Sequence, residues 1–240
     1  MITSIFIVTL QRNLCFFLRN INREHRSVVV RYTDSKIEEE VMIFKNIQSN
    51  IEIIDSDFDQ IYPNKIKKIA DIHFTPIQVS KTAAQYLADR EGVKILDVGS
   101  GAGKFCMIGS ACTEGHFIGV EQRKGLCTVA KRITRKYKLT NVEFIHSNIT
   151  DISFKEFDAF YFFNSFYENI SIFANKIDDE ITLNRDLYPL YSAYVKEQLD
   201  SMPIGTKLVT YFSFLKEIPD SYKVKFTKFD EKLKMWEKVS

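Results

Sequence analysis

The residues best placed to do chemistry cluster at the end of one short apolar run. Val93, Ile95, Leu96 and Val98 lead into Asp97, Gly99, Gly101 and Gly103 at alternate positions. A second apolar run, 117–120, is closed by an acid, Glu121. Glycines let a backbone approach a ligand closely. A carboxylate on a neighbouring strand can accept two hydrogen bonds from the hydroxyls of a ribose. A phosphate loop sets a glycine, four residues, then Gly-Lys and Ser or Thr. Val98 and Phe105 stand where that pattern needs its first glycine and its hydroxyl, so it fails. The dinucleotide fingerprint puts its third glycine where Lys104 stands, so it too is poorly met. What remains is Asp97-x-Gly99-Ser100-Gly101-x-Gly103 with Glu121 closing the next run, which is either a tight strand–helix turn without a ligand or a close backbone approach to one.

Two further groups belong to the same end of the elements that carry them. Asn148 and Ile149 follow the apolar stretch 142–146, and Asn164-Ser165-Phe166-Tyr167 follows FDAFYFF at 157–163. In an open parallel sheet, ligands bind beyond the carboxyl ends of the strands. Asn164 offers an amide that orients a cofactor or an acceptor. Tyr161, Phe163, Phe166 and Tyr167 are the candidate walls of an apolar mouth, and Phe166 and Tyr167 are the choice, because aromatics inside a central strand usually serve the core. His73-Phe74 would lie near this mouth, with a core or loop role the simpler reading for His73.

The elements that must position these residues alternate between strand and helix. Strands are expected at 93–98, 117–120, 142–146, 157–163 and 206–212, and a hairpin at 222–229 and 232–239 around Asp230-Glu231. Helices are expected at 36–50, from Thr75-Pro76 onward with Thr75 as cap, at 106–112, 123–138 and 186–201. The helix after Thr75 turns Ile77, Ser80, Ala83, Ala84 and Leu87 inward, and that at 186–201 carries Leu187, Leu190, Tyr191, Tyr194, Val195 and Leu199. The cations Lys131, Arg132, Arg135, Lys136 and Lys138 crowd the end of helix 123–138, where the helix dipole favours them; a nucleic-acid patch is the alternative reading.

Composition narrows the classes. The 240 residues suit one well-buried core, and 33 bases against 31 acids leave a net charge of +2, no global field for nucleic acid. Cys15, Cys106, Cys112 and Cys127 form no Cys-x-x-Cys pair, which fits reduced thiols in a cytoplasmic protein. The histidines lack ligand spacing. Asp55, Asp57 and Asp59 mimic the start of a calcium loop, but Gln60 and Ile66 replace its glycine and glutamate, so they read as solvated loop acids. No metal is expected. Residues 5–17 are apolar but interrupted by Gln11, Arg12 and Asn13, and too short to span a membrane. The organisation expected is an N-terminal, mostly helical extension at 1–57 and one α/β domain at 58–240.

Leu96-Asp97-Val98-Gly99-Ser100-Gly101-Ala102-Gly103 and Gly119-Val120-Glu121 resemble the cofactor site of class I S-adenosylmethionine (SAM)-dependent methyltransferases. Asn164-Ser165-Phe166 and Gly205-Thr206-Lys207-Leu208-Val209 are similar to stretches of the disruptor-of-telomeric-silencing type of protein lysine methyltransferase. The resemblance implies a seven-stranded Rossmann-like sheet and SAM held by the glycine turn, Glu121, Asn148 and Ile149. It also implies a catalytic end at Asn164, Phe166 and Tyr167, and an amine acceptor such as a protein lysine. Asn164 and Tyr167 also fit the outer places of the Asn-Pro-Pro-Tyr motif of amino-group methyltransferases, without its prolines. RNA, a small molecule, or binding without turnover remain open at this point.

Overall fold

The structure, a computed structural model, describes residues 42–171 and 176–240. The chain separates into Met1–Met42 and Ile43–Ser240. Expectations for residues 1–41, including the run at 5–17 and the start of helix 36–50, lie outside the described residues. Residues 42–48 are helical, and Phe44 and Ile47, within the stretch read as an extension, are buried.

Ile43–Ser240 holds one seven-stranded sheet in the order β3-β2-β1-β4-β5-β7-β6. The strands are β1 Lys94–Val98, β2 His116–Glu121, β3 Val142–His146, β4 Ala159–Phe163, β5 Lys207–Tyr211, β6 Tyr222–Lys228 and β7 Leu233–Lys238. β1 to β5 are parallel, and β7 runs antiparallel between β5 and β6. This is the class I methyltransferase sheet that the sequence implied. The strand order reverses between β1 and β4, and the crevice at such a switch point is where an open α/β sheet binds its ligand. The glycine turn and Asn164 flank it.

The longer helices are α1 Asn64–His73, α2 Ile77–Leu87, α3 Lys104–Cys112, α4 Lys124–Tyr137 and α5 Leu187–Asp200. One apolar layer joins Ile95, Ala159, Tyr161 and Val209 of the sheet to α2, α3 and α4. The other joins Leu96, Val98, Phe160, Phe162 and Leu208 to α5. The period of two that sends Ile95 and Leu96 to opposite layers also sends Asp97 toward α3. α2 packs closely because Ser80, Ala83 and Ala84 are small and fully buried. On α5, Leu190 is 52% exposed, so it does not join the apolar face expected of it. Among the described residues no helix is long and apolar enough to cross a membrane.

Two expectations about polar residues are corrected. Thr75 does not cap α2. Its hydroxyl is hydrogen-bonded to Tyr161 Oη at 2.9 Å, while the backbone N–H of Ile77 donates to Asp55 Oδ1 at 3.0 Å. Nor are Asp55 and Asp59 merely solvated loop acids. Lys104, 3% exposed, sits 2.7 Å from Asp55 Oδ1 and 2.8 Å from Asp59 Oδ1, with its Nζ 5.4 Å from the Phe58 ring centroid. Burial pushes the Asp59 carboxyl upward in pKa and the hydrogen bond from Lys104 pulls it back. An unpaired ammonium at that depth costs several kcal/mol, roughly, so the two carboxylates are what allow Lys104 to lie beneath the glycine turn.

Candidate active site

A cavity of about 790 Å³ opens at the carboxyl ends of β1, β2, β4 and β5. Gly99, Gly101, Glu121, Asn148, Ile149, Asn164, Phe166 and Tyr167 all line it, so the structure brings these expected residues together. Asp97, Ser100 and Gly103 do not line it.

The glycine turn is held by backbone bonds. The N–H groups of Gly99 and Ser100 both donate to the Val120 carbonyl, at 3.0 and 2.9 Å. Gly101, at φ +56°, donates its N–H to Glu121 Oε2 at 2.9 Å, and a Cβ there would meet Phe74 at 3.2 Å. At Gly103, φ is +84° and a Cβ would lie 2.3 Å from the Phe144 ring, so this glycine serves packing beneath the turn.

Glu121 is 5% exposed. Its other oxygen accepts from the backbone N–H of Arg123 at 2.7 Å. Burial pushes its pKa up; the two N–H donors and the Arg123 charge act in the opposite sense. Each oxygen thus keeps a lone pair for a further donor, as two ribose hydroxyls require. Asn148 donates to Tyr191 Oη at 2.9 Å and accepts from the Thr150 N–H at 3.1 Å, which fixes its amide at the cavity wall.

Asp97 lies below the turn. Cys106 Sγ donates to its carboxylate at 3.3 Å, and burial, with Glu121 nearby, raises its pKa to about 7. Period-two geometry explains why it misses the cavity.

Asn164 follows β4 at φ +43°. Its carbonyl accepts from the Tyr167 N–H at 3.0 Å, but its side-chain amide bonds to none of the described residues and caps no helix. Phe166 is buried against Phe162 and Tyr191, with centroids 5.2 and 5.3 Å away, whereas Tyr167 is 38% exposed. Tyr161 stacks on Phe105 in the core at 3.8 Å, and Phe163 lines the cavity. His73 and Phe74 line it as well.

Sequence reasoning missed several residues here. Arg123, read only as a helix start, is 3% exposed and pairs with Glu168 at 2.9 Å and Asp178 at 3.0 Å. Phe212, Phe214 and Lys234 also line the cavity. For Arg123, its place two residues after Glu121, just before helix α4, was the available signal. Nothing local marked the others, which arrive from the end of β5 and from β7. Among the described residues, no group of His, Cys, Asp or Glu could hold a metal ion.

The cavity thus lies at the switch point of the sheet, with the glycine turn after β1 and the acid that ends β2 at its wall. Residues 89–197 match the profile described as Methyltransferase domain. The fold is similar to a mutant of MtNAS in complex with S-adenosylmethionine, at 12% identity over 83% of this chain and 78% of that one, with a TM-score of 0.50. It is also similar to an RNA methyltransferase from Salinibacter ruber in complex with S-adenosyl-L-homocysteine, at 18% identity over 69% and 94%, TM-score 0.47. A third likeness is to the [4+2]-cyclase SpnF, at 18% identity over 56% of this chain, TM-score 0.43, and the chain spans only 43% of that protein's length. No curated protein matches the sequence. Over residues 89–197 the chain is thus similar to a methyltransferase domain.

Proposed function

We propose that this protein transfers a methyl group from S-adenosylmethionine to a nitrogen acceptor seated against Asn164. The cofactor supplies a methyl group that is already electrophilic on a sulfonium, so the chain has to align the acceptor and exclude water. Gly99, Gly101, Glu121, Asn148 and Ile149 would hold the cofactor. Phe163, Tyr167 and Phe212 would wall the acceptor, and an apolar wall keeps an amine neutral by desolvating its charged form.

The observation that carries this reading is the side chain of Asn164. It is half-buried, set by a left-handed backbone at the end of β4, and lines the same cavity as Gly101 and Glu121. Its Oδ1 is available to accept an N–H of the acceptor and so aim the nitrogen lone pair. A protein lysine, the acceptor of the subfamily that the sequence resembles, is supported only by Asn164-Ser165-Phe166 and Gly205 to Val209. Lys234, an ammonium lining the same cavity, opposes a second ammonium there.

The test is to supply purified protein and labelled SAM to a cell lysate and then separate protein, RNA and metabolites. Label must enter one fraction, and its rate of entry must fall at least about tenfold with Asn164→Gly. Cofactor binding with no label transferred to any fraction would leave a SAM-binding protein without turnover.

A further inference from the structure

The part of the cavity beyond Asn164 carries features that cofactor binding does not use. Tyr167 and Phe214, after β4 and β5, lie with ring centroids 5.7 Å apart and planes at 34°, and are 38% and 54% exposed. Phe212 is 48% exposed and sits at φ +49°, with Lys232 Nζ 5.7 Å from its ring centroid. Holding a bulky aromatic in water on a left-handed backbone forgoes both burial and relaxed geometry, a combination that collects at ligand-facing sites.

Lys234 is the other feature. It stands on β7 opposite Thr210, half-buried, and lines the cavity. Lys104, Lys207, Lys232 and Lys238 each have a carboxylate within 4 Å, at 2.7, 2.9, 3.4 and 3.6 Å. Lys234 has none among the described residues. The run of cations on α4 ends at the opposite edge of the strands and cannot serve here.

We propose that this half of the cavity binds a nucleotide, with the planar base against Tyr167 and Phe214 and the phosphate on Lys234. The proposal rests on the methyl-transfer reading, in which the base presents its nitrogen to Asn164. Aromatic side chains stack on any base because every base has a π face. An unpaired ammonium attracts phosphate and repels a lysine or arginine side chain. The same chemistry reaches the protein as a free nucleotide or as part of a single RNA strand.

The test saturates the cofactor half with S-adenosylhomocysteine, so that a base cannot bind there. Cytidine monophosphate is then titrated by calorimetry, and a labelled single-stranded RNA of mixed sequence by fluorescence anisotropy. At least one probe binds, and Lys234→Gln and Phe214→Ala each weaken it about tenfold while affinity for S-adenosylhomocysteine and melting temperature hold. Binding of the strand alone, with affinity falling between about 50 and 200 mM salt, assigns RNA. Equal binding of both probes assigns the free nucleotide. Absence of binding by either probe, binding untouched by both substitutions, or tighter binding of a lysine-bearing peptide overturns the proposal. Failure of S-adenosylhomocysteine itself to bind would instead remove the cofactor reading and this proposal with it.

Discussion

The two halves of the cavity are completed by the chain to different degrees. In the cofactor half, Glu121 already holds the N–H groups of Gly101 and Arg123, Val120 holds those of Gly99 and Ser100, and Arg123 is paired twice; the buried Ser100 hydroxyl is the exception, with no partner among the described residues. In the acceptor half, the Asn164 amide and the Lys234 ammonium have no partner among the described residues, and Tyr167, Phe212 and Phe214 face solvent. Asn164, Phe212 and Leu215 all have positive φ. A site whose polar groups are satisfied internally keeps its shape before the ligand arrives. A site left strained and unpaired relies on its substrate to finish it, and stability is forgone there.

Four substitutions, and a fifth as a control, sharpen or break this contrast. Gly103→Ala should cost the most, about 2–5 kcal/mol, from left-handed strain plus the clash with Phe144. Gly205, at φ +89° with open space around its missing Cβ, is the control, since Gly205→Ala carries the strain alone. Equal losses in denaturant unfolding would show that packing on Phe144 does not fix the turn.

Asn164→Gly removes the amide and suits the backbone, so the fold should be as stable as before or slightly more so. Turnover should fall about ten- to a thousand-fold with SAM affinity nearly unchanged. A fully active variant would take Asn164 out of the chemistry. Glu121→Ala acts on the other half and should weaken SAM binding roughly ten- to a hundred-fold, through charge-assisted bonds to the ribose and a loosened Gly101. Calorimetry on the folded variant measures it, and unchanged affinity removes Glu121 from the site.

The smallest effect belongs to Asp97. Its folded pKa is raised from 3.8 to about 7, chiefly by burial, so the native state holds the proton more tightly than the unfolded chain. Its contribution to stability is therefore greatest below pH 4 and declines as pH rises toward 7. Asp97→Asn lacks that decline. The variant should gain on the natural protein between pH 4 and 8, on the order of 5 °C in melting temperature. Parallel curves would mean that Asp97 is ionised in the fold at little cost.

Much of the cofactor half could be read in advance, because its signals are local: glycines at alternate positions, an acid at a strand end, an Asn after the next strand. The sheet followed from the same alternation of short apolar runs with amphipathic ones. The ion pairs that set the turn in place were not legible, since Lys104 meets Asp55 and Asp59 across more than forty residues of chain. Asp55 in particular looked like part of a solvated acidic run until its bond to the Ile77 N–H showed what it caps. The acceptor half was hidden for a related reason. Its residues come from separate strand ends, and an exposed Phe212 or a half-buried Lys234 looks ordinary in one dimension.

Lys104 has a consequence for how the chain can change over generations. Replacing Lys104 alone strands Asp59, whose side chain is only 8% exposed, and replacing Asp59 alone leaves a buried ammonium with the half-open Asp55 as its partner. Each single step loses stability, while exchange of the group for apolar residues of similar volume is often neutral or better. Positions 55, 59 and 104 are therefore bound to drift as a set. In a collection of related sequences they should covary, marking an ancestral choice that no single substitution reverses.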